Sequence, residues 1–223
     1  MQVLRSEGGL LLRRAGASDV PVLARWRSDP RVLEFYGGRD RALNERGVRD
    51  RYFVRHRDPD TGRYYEFQPC LVKRDARPVA FVQYYRLPKF EQGLFDDAPG
   101  DLTYAIDFFI GEPALWGQGL GTRMIGLVRD YLLEHRGARR VVADPRVDNP
   151  RSVRALEKAG FRKVRVLPGR EVHEGGRRDC WFMQFSAKGP SRGRRRRAGR
   201  DRPDAGARAG PGHEVGGESR WRT

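Results

Sequence analysis

The chain has 223 residues, of which 38% are hydrophobic and 33% are charged. This length and composition fit one globular domain with room for an extra segment. The sequence has no apolar run long enough to cross a bilayer and no hydrophobic stretch of a signal peptide at its start. We therefore expect a cytoplasmic protein without a membrane partner. Cys70 and Cys180 are the only cysteines, and they give little support to a disulfide, a metal site or a thiol nucleophile.

The formal net charge of +16 invites a nucleic-acid interpretation, so the location of the charge matters. Residues 187–223 contain eleven Lys or Arg against four Asp or Glu, with many Gly and Pro. A segment with so little apolar surface cannot offset the entropy lost on ordering, which predicts a disordered basic tail. We favour a solvated extension over an arm that binds RNA or a membrane.

One acidic segment opposes this general charge. No Lys or Arg occurs between Lys89 and Arg123. A cluster of carboxylates attracts a cationic ligand and speeds its encounter; the alternative is a solvated acidic loop. The acidic residues of the segment are Glu91, Asp96, Asp97, Asp101, Asp107 and Glu112.

Hydrophobic periodicity and turn residues predict an α/β domain around one mixed sheet. Ser18 or Asp19 is expected to cap the first helix, and Asn149 is expected to cap the last, which ends at Gly160. The predicted strands cover residues 9–13, 64–73, 78–86, 102–110, 140–143, 161–167 and 179–185, and the predicted helices cover residues 20–29, 39–57, 119–135 and 150–159.

A glycine-rich loop, Trp116-Gly-Gln-Gly-Leu-Gly-Thr122, joins an aromatic strand to an amphipathic helix. Glycines at a spacing of two let the backbone approach a ligand and direct successive N–H groups at it. The start of the helix adds partial positive charge, so the loop predicts a site for a pyrophosphate. The spacing differs from the dinucleotide fingerprint, and the Lys-Ser/Thr pair of a P-loop is missing.

This loop resembles the CoA-binding motif of the GNAT acetyltransferase superfamily, and residues 149–161 resemble the helix that follows it there. Four segments, residues 29–40, 104–113, 143–155 and 167–180, are similar to the aminoglycoside 6′-N-acetyltransferases, and among these to the acetyltransferase half of the bifunctional acetyltransferase–phosphotransferase. The resemblance covers about residues 9–186, leaving residues 1–8 as an N-terminal extension and residues 187–223 as the tail.

The resemblance implies a GNAT fold, a mixed and mostly antiparallel sheet whose central strand pair splays apart and is flanked by helices. It also implies acetyl-CoA as the co-substrate, with its pantetheine arm in the splay, and no metal. Free N–H groups at the splay are suited to stabilise the developing oxyanion. The residues implied to bind the co-substrate are Phe109, Ile110, Trp116, Gly117, Gln118, Gly119, Leu120, Gly121, Thr122, Asn149, Arg154 and Lys158.

Asp107 matches the base proposed for this family, which takes a proton from the acceptor ammonium; its alternative is an edge or surface position. Tyr104 matches a position near the acetyl group, with core packing as the alternative. Asp144 matches a family position that contacts a cationic acceptor; the alternative is a turn residue before Pro145. Four further carboxylates are predicted to complete the acceptor pocket, namely Glu112, Asp96, Asp97 and Asp101.

One position departs from the family pattern. Many GNAT enzymes place a tyrosine in the helix after the Asn, where it protonates the departing thiolate, but this chain has Leu156. A free thiol has a pKa of about 8.5, so the thiolate is a tolerable leaving group without an acid.

Three functions remain open at this stage. The first is acetyl-CoA-dependent 6′-N-acetylation of aminoglycosides by a monomer or homodimer, which would confer resistance. The second is the same chemistry on a polyamine, a peptide or a siderophore precursor. The third is a basic nucleic-acid-binding protein whose GNAT-like domain only binds CoA, a hypothesis that rests on the tail alone.

Overall fold

A computed structural model describes residues 2–54, 56–57, 64–65, 67–87 and 102–187. Three predicted acceptor residues, Asp96, Asp97 and Asp101, lie outside the described residues, as does the basic tail from residue 188 onward.

Eight strands form one sheet, and two short strands form a separate pair. In chain order they are β1 (Val3–Glu7), β2 (Leu10–Arg14), β3 (His56–Arg57), β4 (Tyr64–Tyr65), β5 (Gln68–Arg74), β6 (Arg77–Arg86), β7 (Thr103–Ile110), β8 (Arg140–Ala143), β9 (Arg162–His173) and β10 (Gly176–Ser186). The order in the main sheet is β1-β2-β5-β6-β7-β8-β10-β9. Among the described strands of this sheet, only β7 and β8 pair in parallel, which confirms the mixed and mostly antiparallel sheet.

Helices cover both faces of this sheet. They are α1 (Val20–Trp26), α2 (Pro30–Leu33), α3 (Glu45–Phe53), α4 (Leu120–Arg136) and α5 (Pro150–Lys158). The first three pack with Phe81 and Phe109 on one face, and α4 and α5 pack with Tyr104 and Ile106 on the other. No helix in the described ranges is long and apolar enough to span a membrane.

The N-terminal boundary differs from the sequence prediction. Residues 3–7, assigned there to an extension, form the edge strand β1 and pair with β2. The strand was missed because most of its side chains are polar and exposed, so no apolar alternation marks it. The second predicted helix is also shorter than expected: α3 begins after Asn44, whose Oδ1 accepts a hydrogen bond from Gly47 N.

The central strands separate as predicted. β7 and β8 pair at three positions only, and the last is Ala105 with Val142. β7 continues to Ile110, whereas the chain after Ala143 turns to β10, where Arg146 forms a bridge with Cys180. A gap therefore opens between the second half of β7 and the end of β8.

Asp19 forms a buried ion pair rather than capping α1 with its side chain. Its two oxygens accept hydrogen bonds of 2.6 and 2.7 Å from the Arg13 guanidinium, and the Gly16 amide adds a third of 2.9 Å. Burial tends to raise the pKa of Asp19, but these hydrogen bonds outweigh it and hold the pKa below its ordinary value. The pair anchors the start of α1 to β2.

Asp19→Asn should lower the free energy of unfolding at pH 7 by about 3–5 kcal/mol, because it leaves a buried guanidinium without its counter-charge. The contribution of Asp19 is present above its unfolded pKa, about 3.9, and is lost as the pH falls through the lower folded value. Chemical denaturation from pH 7 to pH 3 should therefore show the difference from wild type shrinking in acid. Asp50→Asn, in an exposed pair with Arg46, should cost less than about 1 kcal/mol. Equal losses for the two variants would contradict this account.

Candidate active site

Asp107 lies in the middle of β7 on the face covered by α1–α3. Its strand neighbour across the ladder is Gln83 of β6, whose Nε2 donates a hydrogen bond of 2.7 Å to Asp107 Oδ2. Gln83 is buried and Asp107 is half-buried. The structure thus excludes the edge-strand alternative for Asp107 and supplies the partner that a half-buried carboxylate requires.

Tyr104 lies on the opposite face of the sheet from Asp107, because successive residues of a strand alternate between faces. Its ring packs edge-to-face on Tyr84 in the core beneath α4, and its hydroxyl is hydrogen-bonded to Arg136. The structure does not bring Tyr104 to Asp107. This corrects the predicted catalytic role and leaves core packing as the explanation of the residue.

Two hydrogen bonds fix which backbone groups of β7 face the gap. Leu87 N donates to Thr103 O at 2.9 Å, and Gly111 N donates to Val79 O at 3.0 Å. Since antiparallel ladders alternate, the odd-numbered residues between them bond to β6 and the even-numbered residues face β8.

The gap is therefore lined by the backbone of Phe108 and Ile110. The carbonyl of Ile110 accepts a hydrogen bond of 3.0 Å from Trp116 Nε1. Phe109 was predicted to bind the co-substrate, but its backbone is directed at β6 and therefore away from the gap. Its ring stacks on Phe81 with centroids 5.2 Å apart.

The glycine loop has the backbone that the sequence predicts. Gly117 and Gly119 have φ values of +77° and +75°, which residues other than glycine rarely adopt. Apart from the adjacent residues of the chain, no atom of the described residues lies within 4 Å of a Cβ placed on Gly117 or Gly119, so both face open space. Gln118 Nε2 braces the loop by donating a 2.7 Å hydrogen bond to Ala114 O.

The helix α4 begins directly after this loop and runs for 17 residues. Leu120 is buried and anchors its first turn, while Gly121 and Thr122 are half-buried. The first N–H groups of a helix have no partner within the helix, and the first turn of α4 carries no acidic side chain. The loop and helix thus direct N–H groups and partial positive charge at one place.

Asn149 caps α5, since its Oδ1 accepts a hydrogen bond of 3.1 Å from Ser152 N. Arg154 and Lys158 are exposed on the surface of this helix. Leu156 is fully buried in the core, so the position offers neither a proton donor nor access to one.

A second carboxylate lies at the end of β8. Asp144 Oδ2 accepts a hydrogen bond of 3.0 Å from Arg170 Nε, and about a third of its side chain is exposed. It is thus a partly exposed ion-pair partner at the mouth of the gap rather than only a turn residue.

Glu171 of β9 joins these groups and was missed by sequence reasoning. Burial raises its pKa to about 7, and the charges of Asp144, Asp148 and Asp107 add to the rise against the opposing charge of Arg146. The charge of Glu171 therefore interacts with the charges of Asp144 and Asp107. Its segment was noted in the sequence, but no periodicity distinguishes Glu171 from its charged neighbours.

Glu112 has a different role from the one predicted. Its carboxylate accepts hydrogen bonds from the Arg25 guanidinium and, at 2.9 Å, from Trp26 Nε1. The bond from Arg25 is the main reason that the pKa of Glu112 lies below its ordinary value. This carboxylate ties the end of β7 to α1, and its charge is already neutralised, so we withdraw it from the acceptor pocket.

Tyr36 forms an aromatic wall on the Asp107 face. Its ring centroid lies 4.7 Å from that of Phe109, and the Arg27 guanidinium lies over its other side. Burial raises the pKa of Tyr36 well above its ordinary value, and the Asp107 charge adds to this. The residue lies in one of the segments that carried the resemblance.

Two of those segments, residues 29–40 and 167–180, meet on this face. The guanidinium of Arg39 donates to both oxygens of Glu174 at 2.6 and 2.8 Å. The buried Arg146 donates to the carbonyl of Glu34 at 3.0 Å. The first contact joins the turn between β9 and β10 to the region after α2, and the second joins the loop after β8 to the end of α2.

Comparison with known proteins supports the family seen in the sequence. A profile described as an acetyltransferase (GNAT) domain matches residues 16–168. An aminoglycoside N(6′)-acetyltransferase type 1 of Klebsiella pneumoniae is 22% identical over 161 residues, which cover 72% of this chain and 78% of that protein.

Solved structures share the fold. AAC(6′)-Ib in complex with ribostamycin and coenzyme A has a TM-score of 0.64 at 21% identity, covering 80% of this chain and 94% of that one. Spermidine N-acetyltransferase from Vibrio cholerae, in complex with CoA and spermine, has a TM-score of 0.62 at 14% identity, covering 81% and 96%. With a profile match over more than half of its length and a splayed sheet that ends in a glycine loop, the chain belongs to the GNAT acetyltransferase family.

Proposed function

We propose that this acetyltransferase transfers the acetyl group of acetyl-CoA to the 6′-amino group of aminoglycosides, directly and within a ternary complex. The observation that carries the proposal is Asp107, a half-buried carboxylate held by Gln83 on a central strand beside the splay. The curated relative of Klebsiella pneumoniae bears that activity in its name.

The donor side fits acetyl-CoA. The open space at Gly117 and Gly119 leaves room for a pyrophosphate against backbone N–H groups. The backbone of Phe108 and Ile110 is directed at the gap, where the pantetheine arm would lie. Arg154 and Lys158 add exposed positive charge on α5. When bound, acetyl-CoA supplies an acetyl thioester that an amine can attack.

The acceptor side suits a molecule with several ammonium groups. Asp107 accepts a proton from one ammonium, which frees the nitrogen lone pair for attack. The hydrogen bond from Gln83 holds the Asp107 carboxylate in position for this step. Glu171 offers negative charge to a further ammonium group, and Asp144 does so only in competition with its partner Arg170. Participation of Asp96, Asp97 and Asp101 remains a prediction.

The thiolate departs without a neighbouring acid in this proposal. Leu156 replaces the tyrosine expected from the family pattern, and its burial keeps solvent from that position. Because a thiol has a pKa of about 8.5, the thiolate can leave as an anion and be protonated by water.

A polyamine is the second candidate acceptor. The spermidine N-acetyltransferase neighbour shares the fold, and the carboxylates near Asp107 would suit a linear polycation as well as an amino sugar. A panel of acceptors separates the two candidates. Aminoglycosides with a 6′-amino group can be compared with their 6′-hydroxy counterparts, whereas a linear polyamine has no such position.

The test is release of CoA, followed with a thiol reagent, for the full chain with kanamycin-like aminoglycosides, their 6′-hydroxy counterparts and spermidine. We expect turnover with the 6′-amino compounds. Asp107→Asn should reduce that turnover about 10²-fold or more because the base is lost. The matched Asp50→Asn, on the exposed surface of α3, should retain full activity. Absence of CoA release with every 6′-amino compound would refute the proposed function, and an undiminished Asp107→Asn rate would remove Asp107 from the mechanism.

Gly119→Ala should raise KM for acetyl-CoA, because its φ of +75° strains any side chain and the added methyl group enters the space left for phosphate. The left-handed backbone alone costs about 1–2 kcal/mol for a non-glycine residue. Gly126→Ala, in the middle of the same helix, is the control: it has no positive φ and no atom within 4 Å of its Cβ. It should leave KM unchanged and stabilise the helix by about 0.5–1 kcal/mol. A similar KM for the two variants would argue against the phosphate loop.

The pH dependence of acceptor binding should reveal Glu171. With its pKa raised to about 7, this carboxyl is mostly protonated at pH 6 and ionised at pH 8. It therefore attracts an ammonium group only in the upper range. Burial lowers the pKa of His173, whose Nδ1 lies 3.3 Å from Glu171 Oε1, which favours the neutral form of this neighbour. The ratio of acceptor KM between Glu171→Gln and wild type should rise from pH 6 to pH 8. A ratio independent of pH would exclude Glu171 from acceptor binding.

A further inference from the structure

An arginine without a counter-charge lies beside the glycine loop. Arg151, in the first turn of α5, has its guanidinium 4.7 Å from the ring centroid of Trp116 and 5.2 Å from that of Phe35. Trp116 directly precedes Gly117 in the chain. The two rings therefore hold this cation at the edge of the loop that directs N–H groups at a ligand.

Stacking on aromatic rings orients a guanidinium without using its hydrogen-bond donors. Those donors lie in the guanidinium plane, in a fork that matches the oxygens of a phosphate. A cation placed over aromatic rings keeps its charge and gains orientation. The stack thus presents the Arg151 donors in a restricted set of directions.

Arg146 supplies an internal comparison, because it lies over the same Phe35 ring at 5.4 Å. Arg146 donates to both oxygens of Asp148, at 2.8 and 2.9 Å. Arg151 has no carboxylate partner and no side-chain hydrogen bond among the described residues. Arg146 and Arg151 both lie over the Phe35 ring, but among the described residues only the charge of Arg151 has no carboxylate partner. Arg151 is therefore able to pair with an anionic ligand.

The charge pattern around Arg151 also points to an anion. Arg151, Arg154 and Lys158 are spaced three and four residues apart, so they share the exposed face of α5. The first turn of α4, across the loop, has no acidic side chain. Positive side chains therefore continue from the glycine loop onto α5, and the exposed Glu157 of this helix is paired with Lys163 at 3.1 Å.

We propose that Arg151 binds the pyrophosphate of the acyl donor, with Trp116 and Phe35 holding it in position. This rests on the proposed use of a phosphate-bearing donor by the same site. Sequence reasoning assigned Arg154 and Lys158 to the donor but missed Arg151, because its distinguishing feature is the pair of aromatic rings from other elements.

Steady-state kinetics of Arg151→Gln with three donors tests the assignment: acetyl-CoA, 3′-dephospho-acetyl-CoA and acetyl-pantetheine. Loss of a charge-assisted hydrogen bond should raise KM about tenfold for the first two donors, which contain the pyrophosphate. With acetyl-pantetheine, which lacks phosphate, the variant and the wild type should have the same kcat/KM. KM for the acceptor should not change. Arg46→Gln, at an exposed arginine of α3, controls for the loss of a positive charge elsewhere.

Three results would overturn the proposal. An equal loss with all three donors would show that the stack only supports the fold. A loss with acetyl-CoA alone would move the contact to the 3′-phosphate. No loss with any donor would show that Arg151 does not bind it. If the wild type releases no CoA with any amine, the proposed function fails, and Arg151 is then judged by calorimetric binding of CoA and dephospho-CoA to both proteins.

Discussion

The early end of pairing between β7 and β8 is the constraint on which the site depends. After Ala105 and Val142 the two strands share no further register positions, so one edge of β7 is left without its neighbour. A buried backbone group without a partner costs free energy, so the groups of β7 that face the gap need other partners, as when Trp116 Nε1 donates to the carbonyl of Ile110. In this chain the opening leads directly to the glycine loop, so one irregularity in the sheet prepares a channel for the donor.

The two faces of β7 divide the remaining tasks. On one face, Tyr104 and its even-numbered neighbours pack beneath α4 and α5 and hold the sheet rigid. On the other, Asp107 and Phe109 face α1–α3, where Gln83 donates to the carboxylate and Tyr36 packs on Phe109. The side chain of Asp107 and the core side chains beneath α4 and α5 therefore belong to the same strand but lie on opposite sides of the sheet, because residues one position apart alternate between its faces.

Features set by local residues were predictable from the sequence. The glycine loop, the bounds of β8 and the cap at Asn149 depend on residues within a few positions of one another. Features set by register between distant segments were not. Nothing near Gln83 indicates that it will lie opposite Asp107. Glu112 and Glu171 look alike in the sequence, yet a guanidinium from α1 neutralises the first. Tyr104 is an exception, because its position could have been predicted. It is three residues from Asp107 on the same strand, and residues an odd number of positions apart lie on opposite faces. The prediction followed the family resemblance instead.

The contact between Arg39 and Glu174 has a consequence for how the protein assembles. These residues are 135 positions apart in the chain, and contacts of such long range form late because closing the intervening loop costs entropy. The donor side, by contrast, depends on β7, the loop, α4, β8 and α5, which follow one another along the chain. During synthesis all of these elements therefore emerge before the last hairpin, which supplies Glu174 and closes the contact with Arg39.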